Sequence, residues 1–205
     1  MDPRVVELHF IMPIGNVPSV LQHGILSHER AARLRHHSVA MQAMQDRRDV
    51  KTVPGGMRLH QYANLYFHAR NPMLSVRRHE DICVLKVSTN VLGVAGTAIT
   101  DQNAASKYVR FFAPSQSALL DFDDIFARDW THPDDQIREW RHKSRKCAEV
   151  LVPHRVPPGR PLVVSCGTQQ SESLVVVEPG GHVGRLPLSL STCPRGGFQE
   201  HGFEC

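Results

Sequence analysis

The stretch Lys-Cys-Ala-Glu-Val-Leu-Val-Pro, residues 146–153, joins the end of a polar helix to an apolar strand. Glu149 is the only charged residue in its apolar part, so the pattern places one carboxylate at the start of a buried strand. About a hundred residues upstream, Arg47 and Arg48 end a second polar helical segment. A carboxylate can stabilise a developing sugar cation, and a guanidinium can hold a phosphate or polarise an acceptor. The two features together indicate a site for glycosyl transfer.

The elements around this stretch follow from apolar periodicity and from turn residues. Strands are predicted at 4–11, 62–67, 82–87, 93–100, 108–112, 149–152 and 161–166. Helices are predicted at 17–22, 27–35, 39–48, 115–126 and 133–147. Strands outnumber long helices and no β-α-β alternation persists. The pattern therefore predicts an α+β fold, with helices packed on a split sheet that is antiparallel or mixed.

Length and composition predict one globular domain. The chain has 205 residues, of which 41% are hydrophobic and 21% charged. A chain of that size buries roughly 70% of its unfolded surface. The apolar pattern decays after residue 166, and the end of the chain is rich in glycine and proline. We therefore expect a domain at 1–170 and an irregular or partly disordered tail at 171–205.

The five cysteines form no Cys-x-x-Cys pair, and the thirteen histidines are scattered along the chain. This spacing predicts no metal site and reduced thiols. No apolar run approaches the roughly 20 residues of a membrane span. The N-terminal residues lack the apolar core of a secretory signal. These observations predict a cytoplasmic protein that does not bind membranes.

The net charge is +4, and two blocks carry much of the positive charge. One block spans residues 30–51, and the other spans residues 138–145. Such blocks are either solvated helix faces or contacts for a phosphate backbone.

A series of short motifs keeps its order and rough spacing from residue 8 to residue 152. The motifs are Leu8-His9-Phe10-Ile11 with Asn16, Gly24-Ile25-Leu26-Ser27-His28, Gln45-Asp46-Arg47-Arg48, Val53-Pro54-Gly55-Gly56, Leu59-His60-x-Tyr62, Leu65-Tyr66-Phe67-x-x-Arg70-Asn71-Pro72-Met73-Leu74, Thr100-Asp101, Arg110-Phe111-Phe112, Trp130-x-x-Pro133 and Ala148-Glu149-Val150-Leu151-Val152. In these motifs the chain resembles the DarT family of nucleic-acid ADP-ribosyltransferases.

The resemblance implies an ADP-ribosyltransferase fold, a split mixed β-sheet with helices around an NAD cleft. It implies an enzyme that uses NAD as co-substrate and transfers ADP-ribose to a base, thymidine, in single-stranded DNA. It further implies the toxin of a toxin–antitoxin or phage-defence system, with a macrodomain-type antitoxin as partner. We expect such a toxin to be a monomer.

The resemblance also assigns residue roles. Glu149 matches the catalytic glutamate, and Arg48 matches an essential arginine that also contacts NAD. Residues 32–50 match a helical segment that closes over NAD. The remaining matches to NAD-contacting positions are His9, Phe10, Ile11, Ser19 and Ser27.

One departure from the family pattern concerns the acceptor. Asn103 lies near the position where a histidine is common, and an amide cannot carry a proton as imidazole can. Guanosine, or a base in RNA, is therefore an alternative acceptor. A second alternative is a catalytically inactive module that binds nucleic acid through its basic blocks.

Overall fold

The computed structural model describes residues 1–36, 38 and 42–158, and the backbone of residues 163–168, 171–177 and 183–187. Its main feature is a nine-stranded sheet in the order β11-β10-β9-β4-β1-β3-β7-β5-β6. The strands are β1 (Leu8–Pro13), β3 (Tyr62–Tyr66), β4 (Ile82–Val87), β5 (Ala98–Thr100), β6 (Phe111–Phe112), β7 (Glu149–Pro153), β9 (Val163–Thr168), β10 (Ser171–Val177) and β11 (Val183–Pro187). A separate small sheet pairs β2 (Ile25–Leu26) with β8 (Arg155–Val156).

Six α-helices are present in the described residues, and all are short. They are α1 (Val17–His23), α2 (His28–Ala31), α3 (Gln42–Asp49), α4 (Pro72–Val76), α5 (Phe122–Phe126) and α6 (Gln136–Lys146). In the described part of the chain, no helix has the length and apolar character needed to cross a membrane. The fold therefore depends on the sheet, and the helices cover its faces.

The sheet nearly separates between β1 and β3. These two strands share one residue pair, His9 with Tyr66, whereas β1 and β4 share six. Because β1 and β3 diverge on either side of that pair, their backbones leave room for a cleft. The predicted split in the sheet lies here. Every pairing among the described strands is antiparallel, so the α+β class is confirmed but the sheet is not mixed.

The two faces of β7 are both covered, which explains its unbroken apolar sequence. Val150 and Val152 belong to the main core, together with residues of β1, β3 and β4. Leu151 packs on the opposite face in a smaller cluster that includes Leu59 and Ala104. Side chains alternate along a strand, so Glu149 lies on the same face as Leu151. The strand therefore directs its one carboxylate away from the main core.

The small sheet closes the N-terminal segment onto the end of β7. α1 ends at Gly24, whose φ of +81° is a conformation that favours glycine. A Cβ at this position would lie 2.1 Å from the carbonyl oxygen of Val156. Only glycine permits this close approach, which fixes the start of β2 against β8.

Several predicted boundaries were wrong. The first strand begins at Leu8 and not at residue 4, because residues 2–6 form a turn that includes a hydrogen bond from Val5 N to Asp2 O. The helix predicted at 27–35 ends at Ala31, and the one at 115–126 is a 3₁₀ segment (Pro114–Leu119) followed by α5. The strand predicted at 93–100 begins only at Ala98.

The end of the chain also differs from the prediction. Residues 171–205 were expected to be irregular, yet β10 and β11 lie within them and extend the sheet beyond β9. The apolar run Leu174-Val-Val-Val177 supplies β-branched residues that favour a strand. Residues 188–205 and the start of the strand predicted at 161–166 lie outside the described residues.

Candidate active site

The two residues singled out by the sequence, Arg48 and Glu149, form a buried ion pair. Nη1 of Arg48 lies 3.1 Å from both carboxylate oxygens of Glu149. Glu149 has no exposed surface, and Arg48 is 8% exposed. Arg48 reaches the carboxylate from the last turn of α3, and Glu149 opens β7 directly after α6. Two segments about a hundred residues apart in the chain therefore meet at one charged contact.

Backbone groups hold Glu149 in place from a second direction. The Ala104 amide donates to Oε1 of Glu149 over 2.9 Å. The Glu149 amide donates to Oγ1 of Thr100 over 2.9 Å, and that hydroxyl donates to the carbonyl of Gln102 over 2.7 Å. Thr100, the last residue of β5, therefore holds the backbone of Glu149, and Ala104 in the following loop holds its carboxylate. These contacts restrict the carboxylate to one orientation.

A cavity of about 320 Å³ lies beside this pair, along the cleft between β1 and β3. One part of its wall is apolar and another part carries polar and charged side chains. Arg48 lines the cavity, whereas Glu149 is covered by Arg48 and by the Ala104 amide. The lining residues from the two strands are Phe10, Ile11, Met12, Pro13, Tyr62, Asn64 and Tyr66.

Cationic and imidazole groups surround one end of the cavity. His28, His36 and Arg77 are lining residues together with Arg48. The ring of His28 lies 4.3 Å from that of His60, centroid to centroid. Burial lowers the pKa of His28, and the neighbouring rings of His60 and His36 and the charge of Arg48 lower it further. An anionic ligand in the cavity would find hydrogen-bond donors on these four side chains.

His9 lies in line with the ion pair across three strands. It pairs with Tyr66 of β3, and Tyr66 pairs with Glu149 of β7. His9 is 8% exposed, and its Nε2 lies 3.3 Å from Oε1 of Glu7. Burial lowers its pKa, an effect that the Glu7 carboxylate opposes. Its Nδ1 is buried and has no hydrogen-bond partner among the described residues, and His9 is not one of the residues that line the cavity.

The structure places some of the predicted site residues at the cavity and others away from it. Phe10, Ile11 and Arg48 line the cavity, and His9 lies next to them on β1. Ser19 is half-buried within α1 and is not a lining residue. The hydroxyl of Ser27 caps α2 by accepting from the amide of Arg30, which gives it a role in the fold. Roles for Ser19 and Ser27 in binding a ligand stay predictions, as do the catalytic roles of Arg48 and Glu149.

Some site residues were missed by reasoning from the sequence. The Ala104 amide left no signal, because any residue except proline supplies an N–H. Thr100 was noted only as part of a motif, although its hydroxyl fixes the Glu149 backbone. Asn103, by contrast, was singled out from the sequence; it lines the cavity, and its Oδ1 accepts from the Ala105 amide over 2.8 Å. A group of three or more His, Cys, Asp or Glu side chains able to hold a metal does not occur among the described residues.

Comparison with known proteins identifies relatives of this chain. A family model described as "ssDNA thymidine ADP-ribosyltransferase, DarT" matches residues 9–179. A DNA ADP-ribosyl transferase of Thermus sp. (strain 2.9) is 30% identical over 165 residues, which cover 73% of this chain and 76% of the relative. A DNA ADP-ribosyl transferase–DNA ADP-ribosyl glycohydrolase fusion protein of Thermosipho africanus is 32% identical over 172 residues. The match covers 77% of this chain but only 42% of that fusion protein.

Solved structures agree with the sequence relatives. Thermus sp. 2.9 DarT in complex with ADP-ribosylated single-stranded DNA superimposes with a TM-score of 0.64 and 27% identity. That match covers 76% of this chain and 78% of the other. The same protein in complex with NAD⁺ gives a TM-score of 0.61 at 25% identity, covering 77% and 79%. The fold described above is therefore shared with these enzymes.

Proposed function

The chain belongs to the DarT family of single-stranded-DNA thymidine ADP-ribosyltransferases, and from this membership we propose that it transfers ADP-ribose from NAD to thymidine in single-stranded DNA. The observation that carries the proposal is the buried pair of Arg48 and Glu149 beside a cavity at the split in the sheet. A family relative could have lost either residue. This chain has both residues, and Nη1 of Arg48 lies 3.1 Å from Oε2 of Glu149.

The cavity suits the two chemical parts of NAD. Its apolar strand wall, which includes Phe10, Ile11 and Tyr66, offers contact surface for flat aromatic rings. Arg77 offers positive charge for a diphosphate, and the rings of His28 and His36 offer N–H donors. Asn16 and Asn64 add amide groups that can hydrogen-bond ribose hydroxyls.

Glu149 is the group that we assign to stabilising the sugar. NAD supplies the ADP-ribosyl group, and cleavage of its bond to nicotinamide develops positive charge on the ribose, as in glycoside hydrolysis. A fixed carboxylate beside that charge lowers the barrier without reorganising during the reaction. The contacts from Ala104 N and Thr100 Oγ1 supply that fixed orientation.

Arg48 is the group that we assign to the acceptor base. In the transfer, the glycosidic bond to nicotinamide breaks, a bond from the ribose to the base nitrogen forms, and the nitrogen's proton is released. Arginine stays protonated at neutral pH and is a poor base, but its charge can stabilise a base nitrogen that has lost its proton. Arg48 uses Nη1 alone for both oxygens of Glu149, and it also lines the cavity. One side chain can therefore contact both the carboxylate and a reactant.

The loop that follows β5 supplies a surface for a nucleic acid strand. Tyr108 is 77% exposed, and the ammonium of Lys107 lies 5.7 Å from the centre of its ring. Arg110 lies 5.5 Å from the ring of Phe112 on the next strand. Exposed aromatic rings next to cations bind single strands by stacking bases and neutralising phosphates. The same loop carries Ala104, so this surface leads to the ion pair.

The biological setting is also part of the proposal. The Thermosipho relative joins a DNA ADP-ribosyl transferase to a DNA ADP-ribosyl glycohydrolase in one protein, and this chain spans about two fifths of it. We propose that this protein is a monomeric cytoplasmic toxin, and that its partner is a macrodomain-type antitoxin that removes the modification. The transferase domain extends past the predicted boundary at residue 170 in this proposal, because β10 and β11 continue its sheet and the family match runs to residue 179.

Mass spectrometry of oligonucleotides incubated with the protein and NAD tests the proposed function. We expect a mass increase equal to one ADP-ribosyl group on single-stranded DNA that contains thymine. Matched oligonucleotides with every thymine replaced should stay unmodified. Modification that depends on guanine, or that occurs only on RNA, would overturn the thymidine assignment and keep the enzyme class. Binding without any mass increase would identify an inactive binding module.

A further inference from the structure

The turn at residues 103–106 links Glu149 to a lysine that the proposed chemistry has not used. The ammonium of Lys51 donates to the carbonyl of Ser106 and, over 3.4 Å, to the carbonyl of Ala104. On the other side of the same residue, the Ala104 amide donates to Oε1 of Glu149 over 2.9 Å. Ala104 therefore lies between Lys51 and the carboxylate, with a hydrogen bond to each.

Other contacts also hold this turn, including the packing of Ala104 in the cluster with Leu59 and Leu151. The Asn103 amide donates to the carbonyl of Ser144 at the end of α6, and the side chain of Asn103 accepts from the Ala105 amide. The Ser106 amide closes the turn by donating to the carbonyl of Asn103 over 2.9 Å. These bonds set the shape of the turn and fix its first residue. Lys51 is the side chain from outside the turn that holds its carbonyl groups.

Lys51 is itself rigidly placed with respect to Arg48. Its amide donates to the carbonyl of Arg48 over 3.2 Å, and its carbonyl accepts from the amide of Leu59 over 2.9 Å. Lys51 is half-buried, and burial lowers the pKa of its ammonium, as does the neighbouring charge of Arg48. Arg48 and Lys51 therefore lie on the same backbone turn at the end of α3. Arg48 contacts the carboxylate directly, and Lys51 contacts the peptide that donates to it.

We propose that Lys51 is a positioning residue for the transfer reaction: it holds the Ala104 amide at the distance from which that amide orients Glu149. The inference rests on the proposed function, in which Glu149 stabilises the sugar. Lys51 contacts neither reactant in this proposal, so its loss should affect the rate of the chemical step and leave NAD binding unchanged. A displacement of about 1 Å at a reacting group can cost up to about 100-fold in rate.

The first test compares kinetic constants of substituted proteins. Lys51→Met keeps the aliphatic stem and removes the donors, and we expect kcat to fall roughly 10- to 100-fold with the KM for NAD unchanged. Lys51→Arg retains a charged donor and should recover most of kcat. Arg4→Met is the matched control, because Arg4 forms partly exposed ion pairs with Asp2 and Asp123 and does not line the cavity. This control should keep both constants.

The second test measures hydrogen exchange at the Ala104 amide and needs no activity. In Lys51→Met this amide should exchange faster than in the unsubstituted protein, while amides of β3 and β7 stay protected. If the unsubstituted protein transfers nothing, the proposed function fails, yet the exchange result still decides whether Lys51 fixes Ala104.

Three results would overturn the proposal. The first is an unchanged kcat in Lys51→Met, and the second is a rise in the KM for NAD with kcat unchanged. The third is loss of the native fold both in Lys51→Met and in Lys51→Gln, which keeps one neutral donor. That third result would give Lys51 a purely structural role.

Discussion

Glu149 is a charged residue with no exposed surface. A substitution that keeps its shape but not its charge tests what the charge contributes. Glu149→Gln keeps the volume and an oxygen that can accept from Ala104, but it removes the negative charge opposite the developing sugar cation. We predict that kcat falls about 100-fold or more. The measurement is the initial rate of ADP-ribosyl transfer at saturating NAD and oligonucleotide.

The control for this prediction is Glu139→Gln on the surface of α6, where Glu139 pairs with Lys143. That variant should transfer at the unsubstituted rate. Glu149→Ala is a poorer choice, because it would also remove the oxygen that accepts from Arg48 and Ala104 and would leave a new cavity. A Glu149→Gln protein with native circular dichroism and full activity would contradict the catalytic assignment.

Arg48→Lys tests whether the guanidinium performs two tasks at once. An ammonium keeps the charge but is a single point, so it cannot bond both oxygens of Glu149 and still present a second group to the cavity. We predict a loss of roughly 10- to 100-fold in kcat for this conservative change. The exposed neighbour Arg47 supplies the matched control, and Arg47→Lys should have little effect on kcat. Equal rates for the two variants would show that only the positive charge at residue 48 matters.

For single residues, the sequence predicted charged side chains at the site better than it predicted backbone groups. Glu149 was found because it is an unusual charge in its local pattern, whereas Arg48 was chosen over its charged neighbours by the family resemblance. The Ala104 amide and the Lys51 contacts with carbonyl groups depend on how a loop folds back onto β7, and no residue type signals that. Ser27 was assigned to a ligand, although the structure shows that its hydroxyl also caps α2, a common use of serine before a helix.

At the scale of elements, a buried lysine joins α6 to α5 and to the end of β3. Lys146 has no exposed surface, and its ammonium donates to the carbonyls of Ile125 and Ala127 over 2.8 Å. It also lies 3.0 Å from Nδ1 of His68. Burial lowers the pKa of Lys146 to about 8. Burial, followed by the charge of Lys146, lowers the pKa of His68 to about 4.

This contact predicts acid sensitivity in a defined range. His68 has its pKa at about 4 in the folded protein and at 6.5 when unperturbed, so folding favours the neutral ring. The stability from this neutral ring is fully present above pH 6.5 and is lost as the pH falls to about 4. We expect a contribution of about 1–2 kcal/mol, after allowing for partial exposure of the ring. His68→Asn keeps an acceptor and does not titrate, so its unfolding free energy should change less over this range.

Urea unfolding at several pH values between 7 and 4 measures the effect. His79→Asn, which changes an exposed histidine, should follow the unsubstituted protein. Identical slopes for His68→Asn and the unsubstituted protein would rule out His68 as the source.

The elements also show where periodicity works and where it fails. The strands at 62–67, 82–87 and 149–152 were predicted within about one residue, because each is an apolar run with clear ends. Three helices were predicted too long, those at 27–35, 115–126 and 133–147, because polar segments such as 27–35 have helical propensity but little apolar surface to pack. β10 and β11 were missed, because glycine and proline near them suggested an irregular chain.

At the scale of the whole molecule, the positive blocks predict salt-dependent binding of single strands. Arg30, Arg33 and Arg47 are exposed in the first block, and Arg138 and Arg141 in the second. We predict that affinity for a single-stranded oligonucleotide exceeds that for duplex and falls linearly with salt on logarithmic axes. Each phosphate contact should contribute a slope of about −0.7.

Replacing Arg138 and Arg141 together by alanine should make the slope shallower by about 1 to 1.5. Arg155, exposed on β8, is the control, and Arg155→Ala should keep the original slope. Equal affinity for duplex, or an affinity that does not respond to salt, would contradict this prediction.

The order of strands in the sheet has a consequence during synthesis on the ribosome. β1 emerges early but lies between β3 and β4, and β7 pairs with β3 across some ninety residues of chain. Pairings between distant segments form slowly, since a long loop must close first. A nascent chain that stops before residue 149 holds Arg48 without its carboxylate. Translation therefore brings Arg48 and Glu149 together only after most of the sheet has been made. We expect fragments from interrupted synthesis to lack transferase activity.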